Sequence, residues 1–351
     1  MTTLNHTDWP RAGVPPLARA LLRVTPEDFI VDEQIDIALS GVGEHLWLNV
    51  RKRGFNTDAV ARQLAQAAGV PPRAVSYAGM KDRHAITTQW FSIHLPGRED
   101  PDLTAALPSE IEVLVAHRHA RKLQRGALTG NRFSIVLRDC EGGRDPLQRR
   151  VEEVGRGGVP NYFGEQRFGR DHANIARAEA MFGGERIRDH HQRGIYLSAA
   201  RSLIFNEVLA HRIAAGTWNG ALEGDVFVLN GSNSFFVPDA IDEVIKRRLA
   251  EGDIHVSGPL WGAGEPPSRA DVRAQEEAVA QRYTTLADGL ARAELKQERR
   301  ALRLVPKQLV AEWLDATTLK LSFILPAGTY ATTVLREFAC YRDVHSDAKI
   351  T

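Results

Sequence analysis

The sequence predicts an α/β (α+β) protein, sheet-dominant at its start, helix-rich in its middle and returning to strand at its end. Three observations predict this. Short runs alternate apolar and polar residues through the first 140 positions. Helical spacing takes over beyond the flexible stretch Gly155-Arg156-Gly157-Gly158-Val159-Pro160, and alternation resumes at Leu319. At 351 residues the chain exceeds one ordinary core, so two domains are expected.

Taken in order, Leu46, Leu48 and Val50 alternate with Trp47 and Asn49 as a half-buried strand. A helix follows, with Asn56 or Thr57 as its cap, Val60 and Leu64 on one face, and Gly69 as a stop before Pro71-Pro72. A short strand spans 74–78. Phe91, Ile93 and Leu95, then Phe133, Ile135 and Leu137, mark two more strands, and Phe29 to Asp32 reads as another. Farther on, Ser198 is expected to cap a helix burying Leu203, Ile204, Val208 and Ile213, and about 285–304 reads as a charged helix. Leu319, Leu321, Phe323 and Leu325 form a strand that needs a sheet, and the N-terminal sheet is the simplest to join. The segment 325–337 then reads as strand, tight turn and helix.

Composition excludes several classes. Hydrophobic residues at 43% and charged residues at 25% are ordinary for a globular protein, and no segment approaches the roughly 18 apolar residues of a membrane helix. The opening residues lack a basic region followed by an apolar run, so no secretory signal is expected. Cys140 and Cys340 form no CxxC pair, which fits a reducing cytoplasm and suggests neither a disulfide framework nor a cysteine metal site. GxxxxGK[ST], GxGxxG opening a helix, HExxH and GxSxG are all missing.

The net charge of +1 hides an uneven distribution. From Val113 to Arg138 there is no acid, while Arg118, Arg121, Lys122, Arg125, Arg132 and Arg138 stand there with His117 and His119. Such a block can hold a polyanion; its ordinary alternative is a solvated face whose acids come from elsewhere in the fold. The most concentrated chemistry lies in Gly79-Met80-Lys81-Asp82-Arg83-His84, between two strands. A carboxylate among cations stays ionised and is available as nucleophile or base, although a surface ion cluster would read the same way. Asn161-Tyr162-Phe163-Gly164-Glu165-Gln166-Arg167-Phe168-Gly169-Arg170 mixes aromatics with Arg and Gln, suited either to stacking and phosphate contacts on RNA or to a hinge cluster.

These segments occur in a characteristic order. Pro26-Glu27-Asp28-Phe29, Gly43-Glu44-His45, Asn56-Thr57, Ala78-Gly79-Met80-Lys81-Asp82, Gly130-Asn131-Arg132-Phe133, the 161–169 stretch, Leu197-Ser198-Ala199-Ala200-Arg201-Ser202 and Leu325-Pro326-Ala327-Gly328-Thr329-Tyr330-Ala331-Thr332 together resemble the TruD family of pseudouridine synthases. The match runs from about residue 17 to about residue 340. The resemblance implies a catalytic domain on a mixed, largely antiparallel sheet, divided as 1–156 and 306–351, around a family-specific α/β insertion at 157–305 that forms a basic cleft. It implies conversion of uridine to pseudouridine in tRNA, at position 13, by a cytoplasmic monomer with no metal or organic cofactor.

Carried over by motif, Asp82 matches the catalytic aspartate. Phe29, Asn131 and Tyr330 match positions at the substrate nucleotide, Phe133 resembles the aromatic near the target base, and Lys81 matches the motif's lysine. Arg23 stands where family members often have Lys, a planar fork in place of a point charge. Arg118, Arg121, Lys122, Arg125 and Arg167 are the candidates for the RNA backbone. A non-catalytic RNA-binding module has no use for Asp82, and a small-substrate glycosidase normally needs a second paired carboxylate, for which Glu27 or Asp28 would have to serve.

Overall fold

The structure, a computed structural model, describes residues 9–13, 18–124 and 126–347. Along the chain run β1 (Arg19–Leu22), β2 (Phe29–Ile35), β3 (His45–Arg53), α1 (Thr57–Ala67), β4 (Val75–Tyr77), β5 (Ile86–His94), β6 (Ile111–His119) and β7 (Leu128–Glu141). The middle holds α2 (Arg144–Gly157), β8 (Val159–Pro160), α3 (Ala173–Phe182), α4 (His190–Ala214), β9 (Phe227–Leu229), β10 (Phe235–Phe236), α5 (Glu243–Glu251), β11 (Ile254–Leu260), α6 (Ala270–Arg282), α7 (Thr284–Arg292), β12 (Glu298–Ala301) and β13 (Arg303–Leu304). The chain closes with β14 (Lys307–Trp313), β15 (Leu319–Pro326), α8 (Ala331–Phe338), β16 (Cys340–Asp343) and α9 (Val344–Asp347).

Two compact units result. The sheet unit takes in 18–155, Pro306–Gly328 and 338–347. Its sheet runs β14-β15-β7-β2-β5-β3-β6, with β1 paired to β7 and β16, and β4 paired to β5. Among the described residues of this sheet only β2 with β5 and β1 with β16 pair in parallel, so the sheet is mixed and largely antiparallel. The late strand β15 lies beside β7, bringing Phe323 opposite Phe133.

Asn56 caps α1, its side chain accepting from the Ala59 amide at 2.8 Å. Val60 and Leu64 of α1 bury against Leu48, Val50, Phe91 and Ile93 of the sheet. Burying each such side chain contributes roughly 1.5–3 kcal/mol, so this face anchors the strands from which the site loop hangs.

The helical unit takes in Arg156–Val305 and Thr329–Glu337 with residues 9–13. Its centre is α4, whose Leu203, Ile204, Phe205, Val208 and Leu209 are all buried. A helix apolar on consecutive residues is enclosed on every side.

Two expectations are corrected here. Ser198 does not cap a helix: α4 already begins at His190, where the Asp189 side chain accepts from the His191 amide at 2.8 Å. The run 285–304 is not one helix, because β12 and β13 follow α7. Arg299 of β12 is buried on Glu276 at 2.7 Å, so a charged residue that looks helical and solvated is an interior strand residue.

Candidate active site around Asp82

Residues 78–85 connect β4 to β5 and are held from the sheet by a polar ladder. Register sets the ladder: Lys52 lies opposite Thr87 and Val50 opposite Gln89, so Lys52 and Gln89 project from the same face. Gln89 donates to the Gly79 carbonyl at 2.5 Å, and the Lys81 amide donates to the Thr57 hydroxyl at 2.8 Å. Thr57 in turn donates to Gln89 Oε1 at 3.0 Å. The Lys52 ammonium, fully buried, donates to the Asp82 carbonyl at 2.9 Å and the Phe55 carbonyl at 2.6 Å. Burial pushes this ammonium down to about 8, against the pull of Asp82. The loop backbone is therefore fixed at Gly79, Lys81 and Asp82, and the ladder that fixes it is itself buried.

The Asp82 carboxylate meets two donors. Arg23 Nη1 donates to Oδ2 at 2.8 Å, and the His84 amide donates to Oδ1 at 3.0 Å. Partial burial opposes ionisation, but Arg23 foremost, then the His84 amide, the His84 ring and Lys52 outweigh it. The carboxyl is held below its usual range and is ionised at neutral pH. Arg23 lies over the Phe29 ring at 4.4 Å, a contact that leaves the planar guanidinium in place beside the carboxylate.

The other expected residues of this unit fall on the same face. Phe29 meets Phe133 edge to face at 6.3 Å, and Phe133 stacks on Phe323 at 5.5 Å. Asn131 stands opposite Glu33 in the β2–β7 pair. Its Oδ1 is buried with no hydrogen-bond partner among the described residues. Lys81 turns its ammonium inward to Glu33 Oε1, 2.5 Å away. Burial raises the Glu33 carboxyl, with Lys81 pulling against it. Lys52 and Glu33 escaped sequence reasoning, because each reads as a solvent-facing charge in a strand.

A second constellation belongs to the helical unit. Arg167 donates to the Tyr330 hydroxyl at 3.0 Å and to the Ser198 hydroxyl at 2.7 Å. Arg300 lies 4.1 Å from the Phe163 ring centre and donates to Asn161 Oδ1 at 2.7 Å; burial lowers its guanidinium to about 10. Gly164 lets the chain pass close to Tyr330, since a Cβ there would stand 3.1 Å from its ring. The aromatic and arginine motif thus builds a platform under Tyr330. Arg300 was missed because its charged surroundings read as helix surface.

The basic window divides. Arg118 gives its guanidinium to Asp100 at 2.6 Å and to the carbonyls of Gly43, Leu95 and Arg98. Arg138 holds buried Asp28 at 2.7 Å. These two serve the fold, whereas Arg121 and Lys122 are exposed. Arg125 lies outside the described residues. Among the described residues, no three His, Cys, Asp or Glu side chains gather as metal ligands, and no helix is long and apolar enough to cross a membrane.

The arrangement of strands has a solved counterpart. The crystal structure of a candidate tRNA pseudouridine synthase D from Methanosarcina mazei superposes with a TM-score of 0.70, covering 96% of this chain and 95% of that one at 24% identity. This places the chain in the fold class of that structure, a mixed-sheet α/β architecture. The sequence comparisons are narrower. The family described as tRNA pseudouridine synthase D (TruD) matches residues 16–185 and 184–338. A tRNA pseudouridine synthase D of Hydrogenovibrio crunogenus is 49% identical over 319 residues, covering 91% of this chain and 92% of its own. One from Nitrosococcus oceani is 50% identical over 328 residues, covering 93% and 92%. The chain belongs to the tRNA pseudouridine synthase D (TruD) family.

Proposed function

We propose that Asp82 is the reacting carboxylate of a tRNA uridine isomerisation and that its target is uridine 13. As a TruD family member the protein converts uridine to pseudouridine in tRNA. The observation that carries the assignment of Asp82 is its setting: an ionised carboxylate on a loop pinned by Lys52, Thr57 and Gln89, with Arg23 on one oxygen and a backbone amide on the other.

The reaction breaks the N1–C1′ glycosidic bond, turns the uracil, and joins C5 to C1′. C5 gives up its proton and N1 acquires one, so atoms balance with nothing added. Attack on C1′ and removal of the 2′ proton both begin from the same ionised carboxylate. Phe29 and Phe133 supply an apolar wall that keeps the detached base from escaping, and Asn131, two residues before Phe133 on β7, lies on the same face. Tyr330, held by Arg167, stacks on the nucleotide. Arg121 and Lys122 contact backbone phosphates.

A base stacked within tRNA cannot reach a carboxylate set in a protein surface. The uridine is therefore flipped out, at a cost of roughly a few kcal/mol offset by stacking and phosphate contacts. No cofactor takes part, and the protein works as a monomer in the cytoplasm.

Release of tritium from tRNA carrying 5-tritiated uridine measures turnover. Asp82→Asn loses release almost completely while tRNA binding is retained, because the reacting charge goes and the cationic surface stays. Wild-type release by Asp82→Asn would remove Asp82 from this role.

A further inference from the structure

The last described segment of the sheet unit, β16 and α9, lies beyond residue 338, where the family match ends. It pairs in parallel with β1 and places Asp343 beside Leu22, the residue before Arg23. From there Asp343 Oδ2 comes within 3.3 Å of Arg23 Nη1, the same nitrogen that donates to Asp82 at 2.8 Å. Asp343 is itself held, its Oδ1 accepting from the His345 amide at 3.1 Å. His345 stacks on His84 with ring centres 4.3 Å apart and planes 21° from parallel. One donor to the Asp82 carboxylate, Arg23, thus meets this segment through Asp343, and the residue supplying the other, His84, stacks its ring on the segment's His345.

We propose that Asp343 is a positioning residue for the isomerisation, acting through Arg23 to hold the Asp82 carboxylate in its reactive orientation. The proposal rests on Asp82 being the reacting group. Its physical basis is the backbone at Arg23. With φ of 59°, Arg23 occupies the left-handed region, which a residue with a Cβ rarely adopts without being held there. Phe29 lies against the face of the guanidinium and Asp343 stands 3.3 Å from its Nη1, so two neighbours besides Asp82 restrain the side chain. Without Asp343, the guanidinium is free to turn toward the phosphates of an incoming polyanion, and the carboxylate loses its alignment when substrate arrives.

The test compares wild type, Asp343→Asn, Arg23→Ala and the double variant by tritium release, in the full-length protein at a temperature where circular dichroism shows each folded. Asp343→Asn is expected to lower kcat between about ten- and a hundredfold with KM for tRNA unchanged. In the Arg23→Ala background the same change is expected to have no further effect, because the two act as one unit. A kcat like that of wild type, a loss carried in KM, or an equal loss in both backgrounds would each overturn the proposal. Asp82→Asn is measured alongside: if it stays active the underlying reading fails, whereas an inactive Asp82→Asn with a fully active Asp343→Asn rejects this inference alone.

Discussion

Asp82 owes its charge to specific neighbours rather than to exposure. Arg23 is the largest of the influences that offset burial, so the pH response should follow Arg23. In the role proposed for Asp82 only the ionised carboxylate reacts, and the folded protein holds this group below the usual carboxylate range. The acidic limb of kcat/KM, which follows the free protein, should therefore lie below the ordinary carboxylate range. Arg23→Gln removes the main stabiliser of the charge, so this limb is expected to move to higher pH and the rate at neutral pH to fall. Single-turnover rates across pH measure both, and an unmoved limb would detach Arg23 from the carboxylate. At this scale the sequence was legible where chemistry follows a motif and opaque where it follows register. Asp82 stood out as one acid among cations. Lys52 did not, because its position under the loop depends on facing Thr87 across two strands. Nor did Asp343, which reaches Arg23 only through the parallel pairing of the first and last strands.

The loop between β4 and β5 is the element on which the account turns. Lys52→Met removes the donor to the Asp82 and Phe55 carbonyls. Kcat is expected to drop between about ten- and a hundredfold with little change in the dissociation constant for tRNA. Thermal stability is expected to change little, because relief of a buried charge offsets two unpaired carbonyls. Kcat and thermal midpoints measured together check this.

In the helical unit β11 makes a separate prediction. Burial foremost, with Arg303, lowers His255 from 6.5 to about 4. The unfolded chain takes up this proton first as pH falls, so stability is unaffected above about 6.5 and declines from there toward about 4. His255→Gln should remove this loss, no more than about 3 kcal/mol, in denaturant titrations at pH 5 and pH 7.

The strands carrying Phe29, Leu46, Phe91, Phe133 and Leu319 were readable because apolar residues alternate along a stretch of each. The helix start at Asp189 and strand β12 were not. A cap competes with other polar residues nearby, and a buried ion pair such as Arg299 with Glu276 erases the apolar alternation that marks a strand.

For the molecule as a whole, a net charge of +1 supplies little overall field for a polyanion, so the proposed gathering of tRNA falls to local cations. Arg118 and Arg138 are engaged within the fold, whereas among the described residues of the basic window Arg121, Lys122 and Arg132 are exposed, Arg132 donating to Gln308 at 3.1 Å. Neutralising Arg121 and Lys122 is expected to weaken tRNA binding and reduce the slope of its salt dependence by about one to two. Filter binding across salt concentrations checks this, and an unchanged slope would assign both to a solvated face. The sequence showed a cationic window without distinguishing cations that face solvent from those that bind carbonyls, since that division is made by chain segments distant in sequence.

The central claim joins one carboxylate to one nucleotide. Its most direct test is pseudouridine mapping of total tRNA from cells lacking this protein, complemented either with wild type or with Asp82→Asn. The account predicts pseudouridine at position 13 restored by wild type and absent with Asp82→Asn; restoration by both, or by neither, would contradict it.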